Sequence, residues 1–165
     1  MEEIYEHIFR CISSAKAESE RPVVEAGSGS GELAEYLANH GLEVIAIDPW
    51  NQERVERIST GSVRYIRSRA EEMPLDDEIA GAIVSLRSLH HMDPEKALRE
   101  FHRVLATGGR LCIADWIYGT DTGIPERYFR PEEIERMLVS SNFTSIKRPN
   151  SPDPEIMLWS ARKEK

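Results

Sequence analysis

Three glycines at alternate positions, Gly27, Gly29 and Gly31, follow a short apolar run and the acid Glu25. Glycine lets a backbone bend sharply and bring its amide groups against a ligand, and the N-terminus of a following helix adds further N–H donors. The pattern therefore indicates a nucleotide-binding turn. A tight strand-to-helix connection without any ligand is the alternative that this turn alone leaves open.

The spacing of the glycines distinguishes between classes of nucleotide. In the dinucleotide fingerprint, a third glycine stands three positions after the second, beside the pyrophosphate. Glu32 holds that position here. A carboxylate there disfavours NAD and FAD, and it favours a nucleotide ligand that lacks a pyrophosphate.

A second acid follows the next apolar run. Asp48, with Pro49 after it, stands 21 positions beyond Gly27, close to the roughly 20 expected for an acid that accepts hydrogen bonds from ribose hydroxyls. Glu25 and Asp48 together suit a ligand with a ribose diol and a positively charged portion. The alternatives are that Glu25 is stabilised by a helix N-terminus or an arginine, and that Asp48 only begins a turn.

Five segments in chain order resemble the class I S-adenosylmethionine-dependent methyltransferases, close to the branch of the ubiquinone and menaquinone biosynthesis methyltransferases. The resemblance extends from residue 23 to about residue 161. The matching segments are the Glu-x-Gly-x-Gly-x-Gly turn, Asp48, residues 70–74, residues 82–85 running into 89–91, and residues 103–111.

This resemblance implies that S-adenosylmethionine is the cofactor and S-adenosylhomocysteine the product. Glu25 would bind the methionine amino group, Asp48 both ribose hydroxyls, and Ala70 or Glu71 the adenine, although Arg69 replaces an aspartate that the family often has. The cofactor-binding residues expected in this way are Glu25, Ala26, Gly27, Ser28, Gly29, Gly31, Asp48, Pro49, Ala70, Glu71, Ser85 and Leu86.

The residues that would meet the methyl acceptor are less sharply defined. Methyl transfer from a sulfonium needs alignment rather than a covalent residue, and a base is needed only if the acceptor arrives protonated. The candidates for such a base are His90, His91, Asp115 and Tyr118. The aromatic residues Trp116, Tyr118, Tyr128 and Phe129 either stack on the acceptor or pack the segment that covers it.

A metal ion is not expected at the two histidines. Adjacent residues are expected to point in different directions, and no third ligand stands at a suitable spacing from His90 and His91. The two cysteines, Cys11 and Cys112, also have no partner at metal-ligand spacing.

Composition narrows the class of protein further. The 165 residues fit one domain, 1–165, with residues 1–19 forming an N-terminal helix packed on it, and the formal net charge of −8 argues against nucleic acid as a partner. No signal peptide or membrane-spanning run is recognisable, so we expect a cytoplasmic protein.

The order of elements predicts an α/β fold. Short apolar runs at 23–24, 44–47, 82–84 and 111–114 are typical of parallel strands covered on both faces, and strands are also expected at 144–147 and 156–161. Helical stripes cover residues 2 to about 17, 33–37 and 97–105, the last capped by Asp93 and ended by Gly108 and Gly109, and another helix begins at Pro131. We therefore predict a three-layer, Rossmann-like doubly wound sheet; the resemblance implies seven strands in the order 3-2-1-4-5-7-6 with the seventh antiparallel.

We expect a small-molecule acceptor, because residues 85–88 read Ser-Leu-Arg-Ser and not the Asn- or Asp-Pro-Pro-Tyr of enzymes that methylate amino groups of nucleobases. Little sequence is available to cover the acceptor, so a homodimer partner or a second protein is expected to complete its site. The alternative functions are a non-catalytic S-adenosylmethionine-binding module or partner subunit and, less favoured, an NAD-linked oxidoreductase.

Overall fold

A computed structural model describes residues 1–13, 20–50 and 62–165. Within these ranges, seven strands form one sheet in the order β3-β2-β1-β4-β5-β7-β6, which confirms the expected topology. The strands are β1 (Val23–Ala26), β2 (Val44–Ile47), β3 (Val63–Ile66), β4 (Ala80–Leu86), β5 (Leu105–Trp116), β6 (Thr144–Lys147) and β7 (Ile156–Arg162). The helices are α1 (Glu2–Ser13), α2 (Glu32–Asn39), α3 (Pro94–Val104) and α4 (Pro131–Ser140), with a single 3-10 turn at Leu89–His91.

The sheet reverses direction at one strand. The first five strands pair in parallel, whereas β7 runs antiparallel to both β5 and β6. Because β1 lies between β2 and β4, the chain crosses from one half of the sheet to the other at β1. Ligands of doubly wound sheets bind in the crevice at the carboxyl ends of the strands beside such a crossing.

Both faces of the central strands are buried. Successive residues point to opposite faces of a strand, so Val24 and Ile83 belong to the core that includes α3 and α4, whereas Val23 and Val84 belong to the core that includes α1 and α2. Each such side chain contributes about 1.5–3 kcal/mol through burial. Burial on both faces is the reason that these strands appear in the sequence as apolar runs without alternation.

The structure changes one predicted helix boundary. The helix expected to continue to Gly108 ends at Val104, and Leu105 already has the extended backbone of β5. The apolar stripe could not mark this end, because the side chain of Leu105 is buried in the same core. The N-terminal helix is described as far as Ser13, and its predicted continuation to residue 17 lies outside the described residues.

Within the described ranges, no helix has the length and apolar character that crossing a membrane would require.

A guanidinium on α3 fixes the loop that follows β3. Arg103 pairs with Glu100 through two N–H···O bonds of 2.8 and 2.6 Å. It also donates to the carbonyl oxygens of Met73 and Leu75 at 3.2 and 2.9 Å and to the carboxylate of Asp77 at 2.6 Å. Several charge-assisted bonds from one planar group hold a loop in one geometry.

We expect Arg103→Met to lower the free energy of unfolding by about 2 kcal/mol, because two carbonyls and two carboxylates lose their charged donor. Arg99→Met, at an exposed position of the same helix, is the control and should change stability by less than about 0.5 kcal/mol. Urea unfolding of both variants measures the difference. Equal effects would show that the guanidinium network does not hold the loop.

Candidate functional site

A crevice lies at the carboxyl ends of β1, β2 and β4. It consists of two adjacent cavities of about 310 and 390 Å³, which share Gly27 and Ser88 as lining residues. We call them the first and the second cavity, respectively. Glu25 and His90 line the first cavity, and Asp48 lines the second.

The glycine turn makes close approach possible in the middle of the crevice. Gly27 has φ +78°, and a Cβ added there would lie 2.4 Å from Cβ of Ser88. The hydroxyl of Ser88 instead donates to the carbonyl oxygen of Gly27 at 2.8 Å, which joins the ends of β1 and β4. Gly29, at φ +49°, would place a Cβ in open space, so a side chain there would enter the volume that a ligand uses.

Asp48 is held in place by two backbone donors. Its Oδ2 accepts from the N–H of Gly29 at 2.9 Å, and its Oδ1 accepts from the N–H of Trp50 at 2.8 Å. A carboxylate oxygen can accept more than one hydrogen bond. The side chain is thus fixed across the glycine turn while it retains capacity to accept from a diol.

Glu25 is a buried acid with an unsatisfied oxygen. In the part of the chain that the structure describes, its Oε2 has no hydrogen-bond partner, although the side chain lines the first cavity. Burial raises the pKa of Glu25 well above its ordinary value; the N–H of Ala34 lowers it, and the charge of Asp48 raises it further. A buried carboxylate without a cationic partner is costly, and a cationic group of a ligand in the crevice would supply that partner.

Arg87 brings a positive charge to the same cavity. Its backbone has φ +49°, which non-glycine residues seldom adopt, and its guanidinium lies over the ring of Trp116 at 5.6 Å. Backbone strain of this kind persists where the surrounding structure holds it, and it concentrates at functional sites. The first cavity therefore offers an acidic side chain, Glu25, and a cationic one, Arg87. Together they suit the ammonium and the carboxylate of an amino-acid zwitterion.

The second cavity has a different character. Pro49, Ala70 and Glu71 line it. Arg69, which replaces the family's frequent aspartate, contacts Oε1 of Glu71 at 3.2 Å, and the same oxygen accepts from the N–H of Asp93 at 3.0 Å. Glu71 thus links this loop to the start of α3.

A buried imidazole lies at the far side of the first cavity. Nδ1 of His90 is 2.7 Å from Asp115, and Nε2 is 3.5 Å from Glu126. Burial alone would lower the pKa of His90, but the hydrogen bond and charge of Asp115, followed by Glu126, outweigh it and raise the pKa above its ordinary value. The ring of His91 packs against that of His90 at an angle of 48°, with the centroids 4.0 Å apart. The expectation that the two rings point apart is therefore wrong.

The structure brings together only part of the expected set. Eleven of the sixteen expected residues line the cavities: Glu25, Ser28, Gly29, Leu86 and His90 in the first, Asp48, Pro49, Ala70, Glu71 and His91 in the second, and Gly27 in both. Five do not line either cavity, namely Ala26, Gly31, Ser85, Asp115 and Tyr118.

Each of these five has a structural reason for its position. The side chains of Ala26 and Ser85 are buried within their strands, and Gly31 precedes α2 as its N-cap. Asp115 is buried behind His90. Tyr118 is exposed and has the guanidinium of Arg130 over its ring at 3.8 Å.

The aromatic residues expected near the methyl acceptor differ in their surroundings. Trp116 lines the first cavity, whereas Phe129 is fully buried in the core that includes α3 and α4. The hydroxyl of Tyr128 pairs with that of Thr122 at 2.8 Å. Of these residues, Trp116 is the one placed to contact a ligand.

Several residues of the crevice are not predicted from the sequence, among them Arg87, Ser88 and Glu126. Arg87 and Ser88 directly follow a buried strand, and polar residues at such positions in doubly wound sheets face the crevice. Their positions in the sequence could therefore have predicted their place in the site. Glu126 lies in a segment of 14 residues between β5 and α4 that has no periodic pattern, and nothing in the sequence indicates that it returns to the histidines.

We expect Glu25→Gln to stabilise the ligand-free protein by about 1–3 kcal/mol near pH 8, because it removes a buried unpaired charge. A carboxyl whose pKa is raised by folding costs stability above its ordinary pKa, and the cost disappears as the pH falls towards that value. The gain should therefore shrink near pH 5. Thermal unfolding at both pH values measures it, and the exposed Glu135→Gln is the control; a loss of stability in Glu25→Gln would contradict the account.

Comparisons with known proteins agree with this geometry. The protein YcgJ from Bacillus subtilis superposes with a TM-score of 0.82 at 15% identity, covering 100% of both chains. Phosphoethanolamine N-methyltransferase 2 from Haemonchus contortus, solved in complex with S-adenosyl-L-methionine, has a TM-score of 0.79 at 16% identity and covers 98% of this chain and 52% of that chain. At these identities the likeness establishes the fold alone.

Sequence comparison is more specific. An uncharacterized methyltransferase from Mycobacterium tuberculosis is 38% identical over 94 residues, which is 56% of this chain and 39% of that protein. The chain thus spans about two fifths of the length of this relative. Residues 24–113 match the family model described as Methyltransferase domain. Because that match covers more than half of the 165 residues, the chain belongs to the Methyltransferase domain family.

Proposed function

We propose that residues 1–165 act as one S-adenosylmethionine-dependent methyltransferase domain on a small-molecule acceptor. The observation that carries the proposal is the unpaired oxygen of Glu25, buried beside a glycine turn whose opposite side is held by Asp48. The end of a dinucleotide without a positive charge would leave this carboxylate without a cationic partner, whereas an ammonium group would supply one. Membership of the Methyltransferase domain family supports the same ligand.

The residues of the crevice suit the parts of this cofactor. Glu25 and Arg87 would bind its amino group and carboxylate, Asp48 would accept from the ribose hydroxyls, and Ala70 and Pro49 would flank the adenine. When bound, the cofactor supplies a methyl group on a sulfonium, so that transfer to an acceptor O–H or N–H gives S-adenosylhomocysteine, the methylated acceptor and one released proton.

The protein's contribution is mainly alignment. The rigid pair Gly27 and Ser88 fixes the centre of the crevice, and Trp116 bounds the acceptor side. Positioning of reacting groups contributes on the order of 7 kcal/mol in well-oriented cases. Among the four candidates for a base, His90 is the one whose buried ring nitrogen Nε2 lines the cavity without a hydrogen-bond partner among the described residues, so we place the acceptor beside His90.

The finer assignments remain proposals. The resemblance to ubiquinone and menaquinone methyltransferases stays a prediction, and the alternative of a non-catalytic cofactor-binding module differs only in the absence of turnover. Binding of the cofactor without methylation of any acceptor by the intact protein would favour that alternative. Binding of NADH in place of S-adenosylhomocysteine would favour the oxidoreductase.

We expect isothermal titration calorimetry to detect binding of S-adenosylhomocysteine. The variants Asp48→Ala, Glu25→Gln and Arg87→Gly should each weaken this binding by at least about tenfold, because each removes a charge-assisted hydrogen bond to the ligand. Glycine suits the left-handed backbone at position 87, so Arg87→Gly removes the side chain without new strain. Glu135→Gln is the control and should bind as the parent does. Unchanged affinity in all three site variants would refute the proposed cofactor site.

We also propose that a second copy or a partner protein completes the acceptor site, because Tyr118, which follows β5, is a large and exposed aromatic side chain. Sedimentation velocity should detect a dimer, or a partner should be required for turnover. A monomer that methylates a small acceptor unaided would contradict this part of the proposal.

A further inference from the structure

We propose that His90, His91 and Glu126 form a binding site for a divalent ion of the late first-row transition metals, such as Zn²⁺. One donor atom from each side chain lies within 4.8 Å of the other two. The histidines belong to the 3-10 turn after β4, and Glu126 belongs to the segment between β5 and α4. Residues distant in the sequence therefore converge on one point at the edge of the first cavity.

The protonation of His90 leaves a lone pair facing that point. Asp115 as a carboxylate can only accept hydrogen bonds, so Nδ1 of His90, 2.7 Å away, carries the hydrogen. In the neutral ring, Nε2 is then an acceptor. The side chain is 1% exposed, and no described residue forms a hydrogen bond with Nε2.

This lone pair faces a second acceptor. Oε1 of Glu126 lies 3.5 Å from Nε2 of His90, and two acceptors in contact repel each other unless a cation lies between them. A proton on Nε2 makes only a long contact with Glu126, because N–H···O bonds are normally about 2.7–3.2 Å long, and a bound ion would replace that proton. Tetrahedral zinc, with ligand distances of roughly 2.0–2.1 Å, places its ligand atoms roughly 3.4 Å apart. The observed separation fits the ion.

His91 supplies the third ligand. Its Nε2 lies 3.9 Å from Oε1 of Glu126, and its side chain is 67% exposed. An exposed ring can change its rotamer at little cost, so it can close the remaining gap. His90, by contrast, is fixed by burial and by Asp115, and it gives the site a rigid member.

The neighbours of the ligands resemble those of metal centres. Metal-binding histidines usually donate their other ring N–H to a carboxylate, which orients the ring. Asp115 has this role, and it also accepts from the backbone N–H groups of His90 and Trp116 at 3.2 and 2.8 Å. The hydroxyl of Thr122 contacts Oε2 of Glu126 at 3.1 Å, which leaves Oε1 directed at the histidines.

The donor set selects the class of ion. Two imidazoles and one carboxylate suit Zn²⁺, Co²⁺, Ni²⁺ or Fe²⁺, whereas Ca²⁺ and Mg²⁺ prefer oxygen ligands alone. Three protein ligands leave at least one coordination position open. Both His90 and Glu126 line the first cavity, so the open position faces the space in which the proposed function places the acceptor. An oxygen-bearing acceptor is the class that could use it.

The test is a titration of the chelator-treated full chain with Co²⁺, followed by its visible absorption, and with Zn²⁺ in a calorimeter, both under reducing conditions. We expect one ion per chain. His91→Ala and Glu126→Gln should each weaken binding at least about tenfold, and Asp115→Asn by about 10–100-fold. His7→Ala on α1 and Cys11→Ser are matched controls that should bind like the parent. His91 and Glu126 carry the test because neither is needed for the core.

Three results would overturn the site: no binding tighter than about 100 μM, equal affinity in the parent, His91→Ala and Glu126→Gln, or loss of binding in Cys11→Ser. The titration does not depend on methyl transfer. S-adenosylhomocysteine affinity, measured on the chelated protein, tests the proposed function separately. Metal binding without cofactor binding would refute only the function, and the reverse result would refute only the metal site.

Discussion

The crevice depends on one close contact between two strand ends. Gly27 lacks a side chain, so the hydroxyl of Ser88 can reach its carbonyl oxygen at 2.8 Å. A Cβ at Gly27 would lie 2.4 Å from Cβ of Ser88, and the ends of β1 and β4 would have to separate. The two cavities share these two residues, and their shapes therefore change together when this contact changes.

Charge gives the crevice its chemical character. Two acids, Glu25 and Asp48, flank the glycine turn. Burial raises the pKa of Glu25, whose Oε2 has no hydrogen-bond partner among the described residues. Arg87 is held in a left-handed backbone conformation beside them. These unsatisfied or strained groups cost stability in the absence of a ligand, as is common where a site is organised for binding in advance.

Much of the fold could be predicted from the sequence, because parallel strands buried on both faces and amphipathic helices leave strong patterns. The glycines of the turn and Asp48 could also be predicted, because a sharp turn favours glycine and a ribose diol favours an acid at this position. Leu105 was placed in a helix because a buried side chain has the same pattern in a helix and a strand. Ser85 was expected at the crevice, but alternation along β4 directs it into the sheet's packing instead. Glu126 could not be found, because its contact with His90 depends on the path of an irregular segment.

The position of β7 has a consequence for how the chain acquires this structure. β7 is the last strand in chain order, yet it lies between β5 and β6 and pairs with β5 along seven residues. During synthesis, the hydrogen-bonding groups of β5 on that side stay unpaired until residues 156–162 have left the ribosome. An open strand edge invites pairing with other chains, so the nascent protein has a period of susceptibility to aggregation that ends only when its final strand inserts.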